Sequence, residues 1–226
     1  MLTAASTISS LAHYLSELPN RPLTILDPVM ISTSGHTLLP DAAISAITSQ
    51  LLPHVDWVTP NIPEAQRLID SSGPVETLDD LLKLADELRE GLPAPIVLLK
   101  GGHLGVKKEE VRAIAGKYKT IWEEGDEEDE TVEIFDLYRS HVGVKAPKEL
   151  VVDVLIQKGK EVVLFIGKRL ESTSTHGTGC TLSSAIACAS AVLGADTGEP
   201  RLPLHFVTSL GVCLTGLTRQ ATTLSP

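Results

Sequence analysis

The sequence predicts an α/β protein in which helices cover both faces of a mostly parallel sheet. Three observations support this fold class. Short apolar runs alternate along the chain with stretches of helical apolar spacing, such as "TLDDLLKLADELRE" at 77–90. The short runs are apolar throughout rather than at every second residue, which is typical of strands buried on both faces. With 226 residues, the chain is long enough for one such domain with a sizeable core.

Helices and short strands alternate in the first part of the chain. Apolar spacing and turn residues predict a helix over 4–15, a strand within 21–30, a helix over 41–52, a strand over 55–60 and a helix that begins near 61. Asp27 and Pro28 end the first strand. Asp41 and Asn61 are the predicted N-caps of the second and third helices, because their side chains can accept an N–H of the first turn.

Apolar spacing also predicts the elements of the rest of the chain. It predicts a helix over 77–90, strands over 94–102, 151–156 and 161–166, a helix over 181–193 and a last helix over 204–222. The two strands separated by "QKGK" indicate a β-hairpin. Residues 106–150 are predicted to be an irregular acidic insertion, with "EEGDEEDE" at 123–130 as a solvated loop. We therefore expect one domain over 1–226 that contains this insertion.

Composition excludes several classes of function. The formal net charge of −10 argues against nucleic-acid binding. Three cysteines, Cys180, Cys188 and Cys213, without a CxxC pair indicate reduced thiols rather than disulfides or a zinc site. The N-terminus lacks the pattern of a signal peptide, and no apolar stretch reaches the roughly 18 residues of a membrane span. These features predict a cytoplasmic protein with no membrane or nucleic-acid partner.

Several polar residues follow the predicted strands. In open α/β sheets, ligands bind at the carboxyl ends of the strands, so Asp27, Glu64 and Lys100 are expected at one edge. Two carboxylates completed by water and phosphate suit Mg²⁺. Equally, Asp27 fits a turn before proline, and Glu64 fits the first turn of a helix. Lys100 is either a phosphate contact or an exposed lysine at a strand end.

The segment "STSTHGTGC" at 172–180 joins an apolar strand to a helix. The free N–H groups of a helix start favour anions, and Gly177 and Gly179 would let the backbone approach one closely. The alternative is that these glycines only allow a tight turn. At a helix start the thiolate form of Cys180 is favoured, so this residue is a candidate nucleophile or proton acceptor, or else a small buried thiol. Cys188 and Cys213 are expected to be small buried thiols. Two interpretations of His176 are left open: a loop residue without a chemical role, or a base or ligand.

Four motifs occur in an order and spacing that resemble a known family. They are "LDPVM", "VTPNIPEA", "VLLKGGH" and "THGTGCTLSSAIA". Together they resemble the hydroxymethylpyrimidine/phosphomethylpyrimidine kinases of thiamine biosynthesis, within the ribokinase-like superfamily. The cysteine in "GTGC" narrows the resemblance, because most sugar kinases of that superfamily carry aspartate there.

The resemblance implies an ATP-dependent kinase that uses Mg²⁺ and acts on a small pyrimidine. It implies an anion hole at Gly177, Thr178 and Gly179, with Cys180 taking the proton of the substrate hydroxymethyl group. It also implies nucleotide contacts from Lys100, Gly102, Thr175 and Asn61, and Mg²⁺ placement by Asp27 and Glu64. Whether the chain forms a homo-oligomer is left open.

One departure from the family pattern leaves other functions open. Family members carry a "GSDxSGGAG"-type motif before the part that matches Met1 and Leu2 here. The resemblance therefore predicts that this chain lacks an N-terminal segment and much of the pyrimidine pocket. Alternatives are a pyridoxal or pyridoxamine kinase and a non-catalytic nucleotide-binding pseudo-kinase. A Cys-His hydrolase is disfavoured, because no partner that would orient His176 can be placed.

Overall fold

A computed structural model describes residues 2–30, 38–102, 104–114, 116–122, 149–169 and 178–194. The predicted helix over 204–222 lies outside these residues. The described helices are α1 (Ala5–Glu17), α2 (Asp41–Ala46), α3 (Ile62–Leu68), α4 (Leu78–Gly91), α5 (Lys108–Ile114) and α6 (Thr178–Gly194). The described strands are β1 (Ile25–Leu26), β2 (Trp57–Val58), β3 (Ile96–Leu99), β4 (Lys119–Trp122), β5 (Leu150–Gln157) and β6 (Val163–Lys168). A π-helical turn (Ile47–Leu51) and a 3₁₀ turn (Leu52–His54) extend α2.

The strands form one six-stranded sheet in the order β1-β2-β3-β5-β6-β4. The pairs β1–β2, β2–β3 and β4–β6 are parallel. The predicted hairpin is confirmed, because β5 and β6 pair in antiparallel register. Its turn contains Gly159 at φ 74°, a conformation that glycine adopts without steric strain. Since β5 also runs antiparallel to β3, the sheet is mixed there, a non-local pairing that the apolar pattern did not indicate.

Helices cover both faces of the sheet, which confirms the predicted fold class. On one face, α1 to α4 pack their apolar residues against strand residues such as Val97 and Val154 in the larger buried cluster. On the other face, Leu182 and Ile186 of α6 pack against strand residues that include Trp57. The central strand β3 between these layers is apolar throughout because both of its faces exclude water.

The segment predicted to be irregular contains regular structure at both ends. Helix α5 buries Val111, and β4 pairs in parallel with β6. Val106 forms a bridge with Leu150 at the start of β5. Elements this short are stabilised mainly by distant partners, which explains why local spacing did not reveal them. The acidic run at 123–130 lies outside the described residues, and the single-domain organisation stays a prediction.

Capping explains where several helices begin. Asn61 is confirmed as the N-cap of α3, and Thr77 forms an equivalent capping box with Asp80 at the start of α4. Hydrogen bonds from Thr77 and neighbouring N–H groups lower the pKa of the Asp80 carboxyl. The prediction for α2 was wrong: Pro40 occupies the N-cap and Asp41 is the first helical residue. Proline fixes the extended entry to the helix, and a carboxylate suits the first turn through the helix dipole.

An ion pair fastens the amino ends of β1 and β2. Both terminal nitrogens of Arg21 donate to the Asp56 carboxylate at 2.8 Å, and the Thr24 N–H donates to the same carboxylate at 2.7 Å. The hydrogen bond to Asp56 raises the pKa of Arg21. Because Thr24 and Asp56 precede their strands, this pair lies at the opposite end of the strands from the predicted ligand edge.

None of the helices in the described ranges combines the length and the apolar character that crossing a membrane requires.

Candidate active site at the carboxyl ends of the strands

The carboxyl ends of β1, β2 and β3 bring three polar side chains together. The Lys100 ammonium donates to Asp27 Oδ1 at 3.2 Å, and the Thr59 hydroxyl lies 3.5 Å from the same oxygen. The lysine and aspartate side chains are only 18% and 11% exposed, and Thr59 is fully buried. A largely desolvated ion pair of this kind is stronger than a surface pair, because less water screens it. The structure thus brings Asp27 and Lys100 into one site, as the topology rule predicts.

The first turn of α6 approaches this ion pair at Gly179. A Cβ built on Gly179 would lie 3.2 Å from Lys100 Nζ and 3.3 Å from Asp27 Oδ2. The absence of a side chain therefore lets the helix start come into contact with both charged groups. The N–H groups of a first helical turn have no partner within the helix, and the helix dipole favours negative charge there. Together with Lys100, this helix start can bind an anionic group such as a phosphate.

Cys180 is the residue after this close contact. Its thiol is free and exposed, and its carbonyl accepts hydrogen bonds from the hydroxyls of Ser183 and Ser184 at 3.1 and 2.8 Å. The position fits a group that exchanges a proton with a ligand at the edge of the sheet. Cys188, expected to be a small buried thiol, is also exposed. That expectation was wrong, because the buried face of α6 is formed by other positions of the helix.

The structure describes only some of the other predicted site residues. Gly177 and Thr175 lie outside the described residues, as does His176. Thr178 is the first residue of α6. Gly102 is exposed, and open space surrounds the position of its missing side chain, so a ligand could approach the backbone there.

Asn61 and Glu64 lock the start of α3 beside this site. The Asn61 side chain accepts from the Glu64 N–H at 2.9 Å, and the Glu64 carboxylate accepts from the Asn61 N–H at 2.9 Å. Glu64 is 3% exposed, and this burial raises the pKa of its carboxyl; the Asn61 N–H and the Lys100 charge oppose the rise, while Asp27 adds to it. Glu64, Lys100 and Asp27 therefore belong to one electrostatic group, in line with their expected position at one edge of the sheet.

The donor set can be tested for its fit to a metal ion. Within the described ranges, no three His, Cys, Asp or Glu side chains cluster closely enough to form a metal cage. Mg²⁺ does not need such a cage, because it commonly binds one or two carboxylates and completes its shell with water and phosphate oxygens. The carboxylates of Asp27 and Glu64 interact electrostatically and have this chemistry. They fit a phosphate-bound Mg²⁺.

Asp153, which contacts the residue after Lys100, was not predicted to be near the site from the sequence. The Gly101 N–H donates to the Asp153 carboxylate of β5 at 2.8 Å. A Cβ on Gly101 would lie 2.0 Å from the Val152 carbonyl oxygen, so only glycine fits this close approach. The available signal was an isolated aspartate within the apolar run "VVDVLI".

Comparison with known proteins decides the family. A family model described as phosphomethylpyrimidine kinase matches residues 1–121 and 108–196. The chain belongs to the phosphomethylpyrimidine kinase family. A hydroxymethylpyrimidine/phosphomethylpyrimidine kinase of Saccharomyces cerevisiae is 32% identical over 189 residues, which cover 83% of this chain and 27% of the relative. A relative with the same description from Haemophilus influenzae is 32% identical over 202 residues, covering 88% of this chain and 56% of the relative.

Solved structures agree with the family at the level of the fold. The phosphomethylpyrimidine kinase of Clostridium difficile matches with a TM-score of 0.58 and 24% identity, over 97% of this chain and 66% of that chain. An ADP complex of Bacillus subtilis pyridoxal kinase matches with a TM-score of 0.54 and 24% identity, over 83% and 53%. The ribokinase-like fold expected for phosphomethylpyrimidine kinases is thus confirmed. The chain spans 27% of the length of the yeast relative.

Proposed function

We propose that this chain carries the phosphoryl-transfer site of an ATP-dependent kinase of hydroxymethylpyrimidine and its monophosphate, in thiamine biosynthesis. One observation supports this most strongly: the start of α6 meets the Lys100–Asp27 ion pair at a glycine, in a chain of the phosphomethylpyrimidine kinase family. Phosphoryl transfer depends on positioning and charge stabilisation more than on covalent chemistry. The ion pair and the helix start supply both.

The residues divide the reaction between them. The substrate hydroxymethyl oxygen attacks the γ-phosphorus of ATP as its proton passes to the Cys180 thiolate, and the bond from the γ-phosphorus to the bridging oxygen breaks to release ADP. Lys100 neutralises phosphate oxygens, and the N–H groups at Gly177, Thr178 and Gly179 stabilise the charge on the transferring group. This proposal also assigns nucleotide contacts to Gly102, Thr175 and Asn61.

Asp27 and Glu64 would hold Mg²⁺ in the working enzyme. When bound, this ion neutralises charge on the nucleotide phosphates. The contribution of the chain is to keep both carboxylates in place: Lys100 and Thr59 contact Asp27, and the Asn61 N–H contacts Glu64.

The proposal predicts a specific effect of removing one thiol. The purified chain is incubated with ATP, Mg²⁺ and hydroxymethylpyrimidine, and formation of the phosphorylated pyrimidine is followed. Loss of a general base typically lowers the rate by about 100-fold to 10,000-fold, so Cys180→Ala should lower kcat by that order. Cys188→Ala is the matched control, because both thiols are exposed on the same helix. Equal rates for Cys180→Ala and the parent would reject Cys180 as the base.

The same assay separates the alternatives that the sequence leaves open. Turnover of pyridoxal in preference to the pyrimidine would indicate a pyridoxal kinase. The chain spans only part of its relatives, so nucleotide binding is also measured by calorimetry. Binding of ATP and Mg²⁺ without turnover of either substrate would indicate a non-catalytic nucleotide-binding module.

A further inference from the structure

Asp153 lies across the sheet from Lys100. The antiparallel register of β3 and β5 pairs Leu99 with Val154. Continuing this register by one residue sets Lys100 opposite Asp153, and by two residues sets Gly101 opposite Val152. The close approach of Gly101 to the Val152 carbonyl oxygen agrees with that register. The aspartate therefore occupies the strand position that faces the lysine of the site.

The Asp153 carboxylate is partly buried and interacts with two groups on the Lys100 segment. Its Oδ1 accepts the Gly101 N–H at 2.8 Å. Desolvation raises the pKa of Asp153, and both the Gly101 hydrogen bond and the positive charge of Lys100 oppose that rise. A carboxylate within an otherwise apolar strand destabilises the fold unless such partners compensate it. In this chain the compensating contacts come from the segment at Lys100 and Gly101.

Neighbouring backbone contacts leave the end of β3 with little freedom. On the β2 side, the Lys100 N–H donates to the Pro60 carbonyl at 2.8 Å. The turn that follows is closed by the Leu104 N–H, which donates to the Gly101 carbonyl at 2.8 Å. On the β5 side, Asp153 accepts the Gly101 N–H. The backbone is thus held from both neighbouring strands, while the Lys100 ammonium lies in the field of Asp27 and Asp153.

We propose that Asp153 is a positioning residue that fixes the turn at Lys100, Gly101 and Gly102 for nucleotide phosphates. It acts through the Gly101 hydrogen bond and as a second counter-charge for Lys100, and it does not itself touch the substrate. The nucleotide part of this inference rests on the proposed kinase function. The hold on the turn is a property of the unliganded chain and can be measured separately.

Three variants test the inference. Asp153→Leu removes the acceptor and the charge while keeping the branching of the side chain, and Asp153→Asn keeps an acceptor oxygen while removing the charge. Asp56→Asn is the matched control, because Asp56 is a partly buried carboxylate that also accepts a backbone N–H, at the other end of the strands. Each variant is compared with the parent by amide hydrogen exchange at Gly101, by ADP binding and by steady-state kinetics.

The expected pattern separates positioning from general destabilisation. In Asp153→Leu, losing one hydrogen bond should make Gly101 exchange roughly fivefold faster. Its Kd for ADP and its KM for ATP should rise about tenfold through misplacement of Lys100, with the pyrimidine KM unchanged. Asp153→Asn should recover most of the exchange protection and part of the nucleotide affinity. Asp56→Asn should lower the free energy of unfolding without changing the Kd for ADP.

Contrary outcomes fall into two distinguishable groups. Unchanged Gly101 exchange in Asp153→Leu would overturn the proposed hold on the turn, whatever the activity. Faster exchange with an unchanged Kd for ADP would overturn the link from that turn to the nucleotide. A parent chain that binds ADP but phosphorylates nothing would refute the kinase proposal while leaving the role of Asp153 intact. A parent chain that binds no ADP would refute both the kinase proposal and the nucleotide role of Asp153.

Discussion

Substituting Gly179 with alanine is expected to impair phosphoryl transfer without lowering the stability of the fold. Gly179 lies in the first turn of α6, and its φ lies outside the positive range that disfavours other residues. Replacing glycine with alanine in a helix contributes up to about 1 kcal/mol of stability, because the unfolded chain loses conformational freedom. Most substitutions at an active site lack this favourable term.

The added methyl group would press on the two charged groups of the site. Its carbon would lie 3.2 Å from Lys100 Nζ and 3.3 Å from Asp27 Oδ2, so each neighbour must move by a few tenths of an ångström. A misplacement of 1 Å can lower a rate by about 100-fold, so a shift of this size should lower kcat/KM by roughly tenfold. The free energy of unfolding should stay equal to that of the parent or rise.

Urea denaturation and steady-state kinetics on the same preparation measure both effects. Gly91→Ala is the control, because a Cβ there would meet the Ile69 side chain at 3.3 Å at the end of α4, away from the charged site. The control should change stability by a comparable amount and leave kcat/KM unaltered. If Gly179→Ala retained the parental kcat/KM, the close approach of α6 to the ion pair would not matter for catalysis.

Substitutions at three further positions test the surroundings of this contact. Lys100→Met should raise the KM for ATP strongly and lower the free energy of unfolding by about 1–3 kcal/mol, since it leaves the largely buried Asp27 carboxylate without its cation. Urea titration and steady-state kinetics measure both effects, and an unchanged KM would contradict the phosphate role of Lys100. Asn61→Ala should lower stability by about 1 kcal/mol through the lost cap, and Asn61→Asp should restore it in thermal denaturation. Burial raises the pKa of Glu64 in the folded state. Between the ordinary pKa of about 4.3 and this raised pKa, the folded state binds more protons than the unfolded chain, so the free energy of unfolding falls as pH rises. Glu64→Gln should flatten this slope in denaturation at successive pH values, whereas an unchanged slope would assign it to other groups.

Local signals predicted part of the fold and of the site. Asn61 could be read as a cap because its partner Glu64 is three residues away, within the same turn. Asp27 and Lys100 could be placed together because parallel strands bring their carboxyl ends to one edge of a sheet. Neither inference needed the partner strand to be known in detail.

Non-local pairing accounts for most of what the sequence did not reveal. The antiparallel placement of β5 against β3 depends on contacts between residues more than 50 positions apart, such as Val97 and Ile156. Strand β4 has its partner β6 more than 40 positions along the chain. Exposure of Cys188 depends on how α6 is rotated on the sheet, since Ile186, two positions earlier and on the opposite side of the helix, is the residue that is buried.

Asp153 shows how a local anomaly can point to such a non-local contact. An ionisable side chain inside a strand that is apolar on both faces must be compensated, and its compensating partner lies across the sheet rather than along the chain. The β3–β5 register then identifies that partner as the segment at Lys100 and Gly101. An isolated carboxylate in an otherwise apolar strand therefore predicts a compensating partner on a neighbouring strand, before the identity of that partner is known.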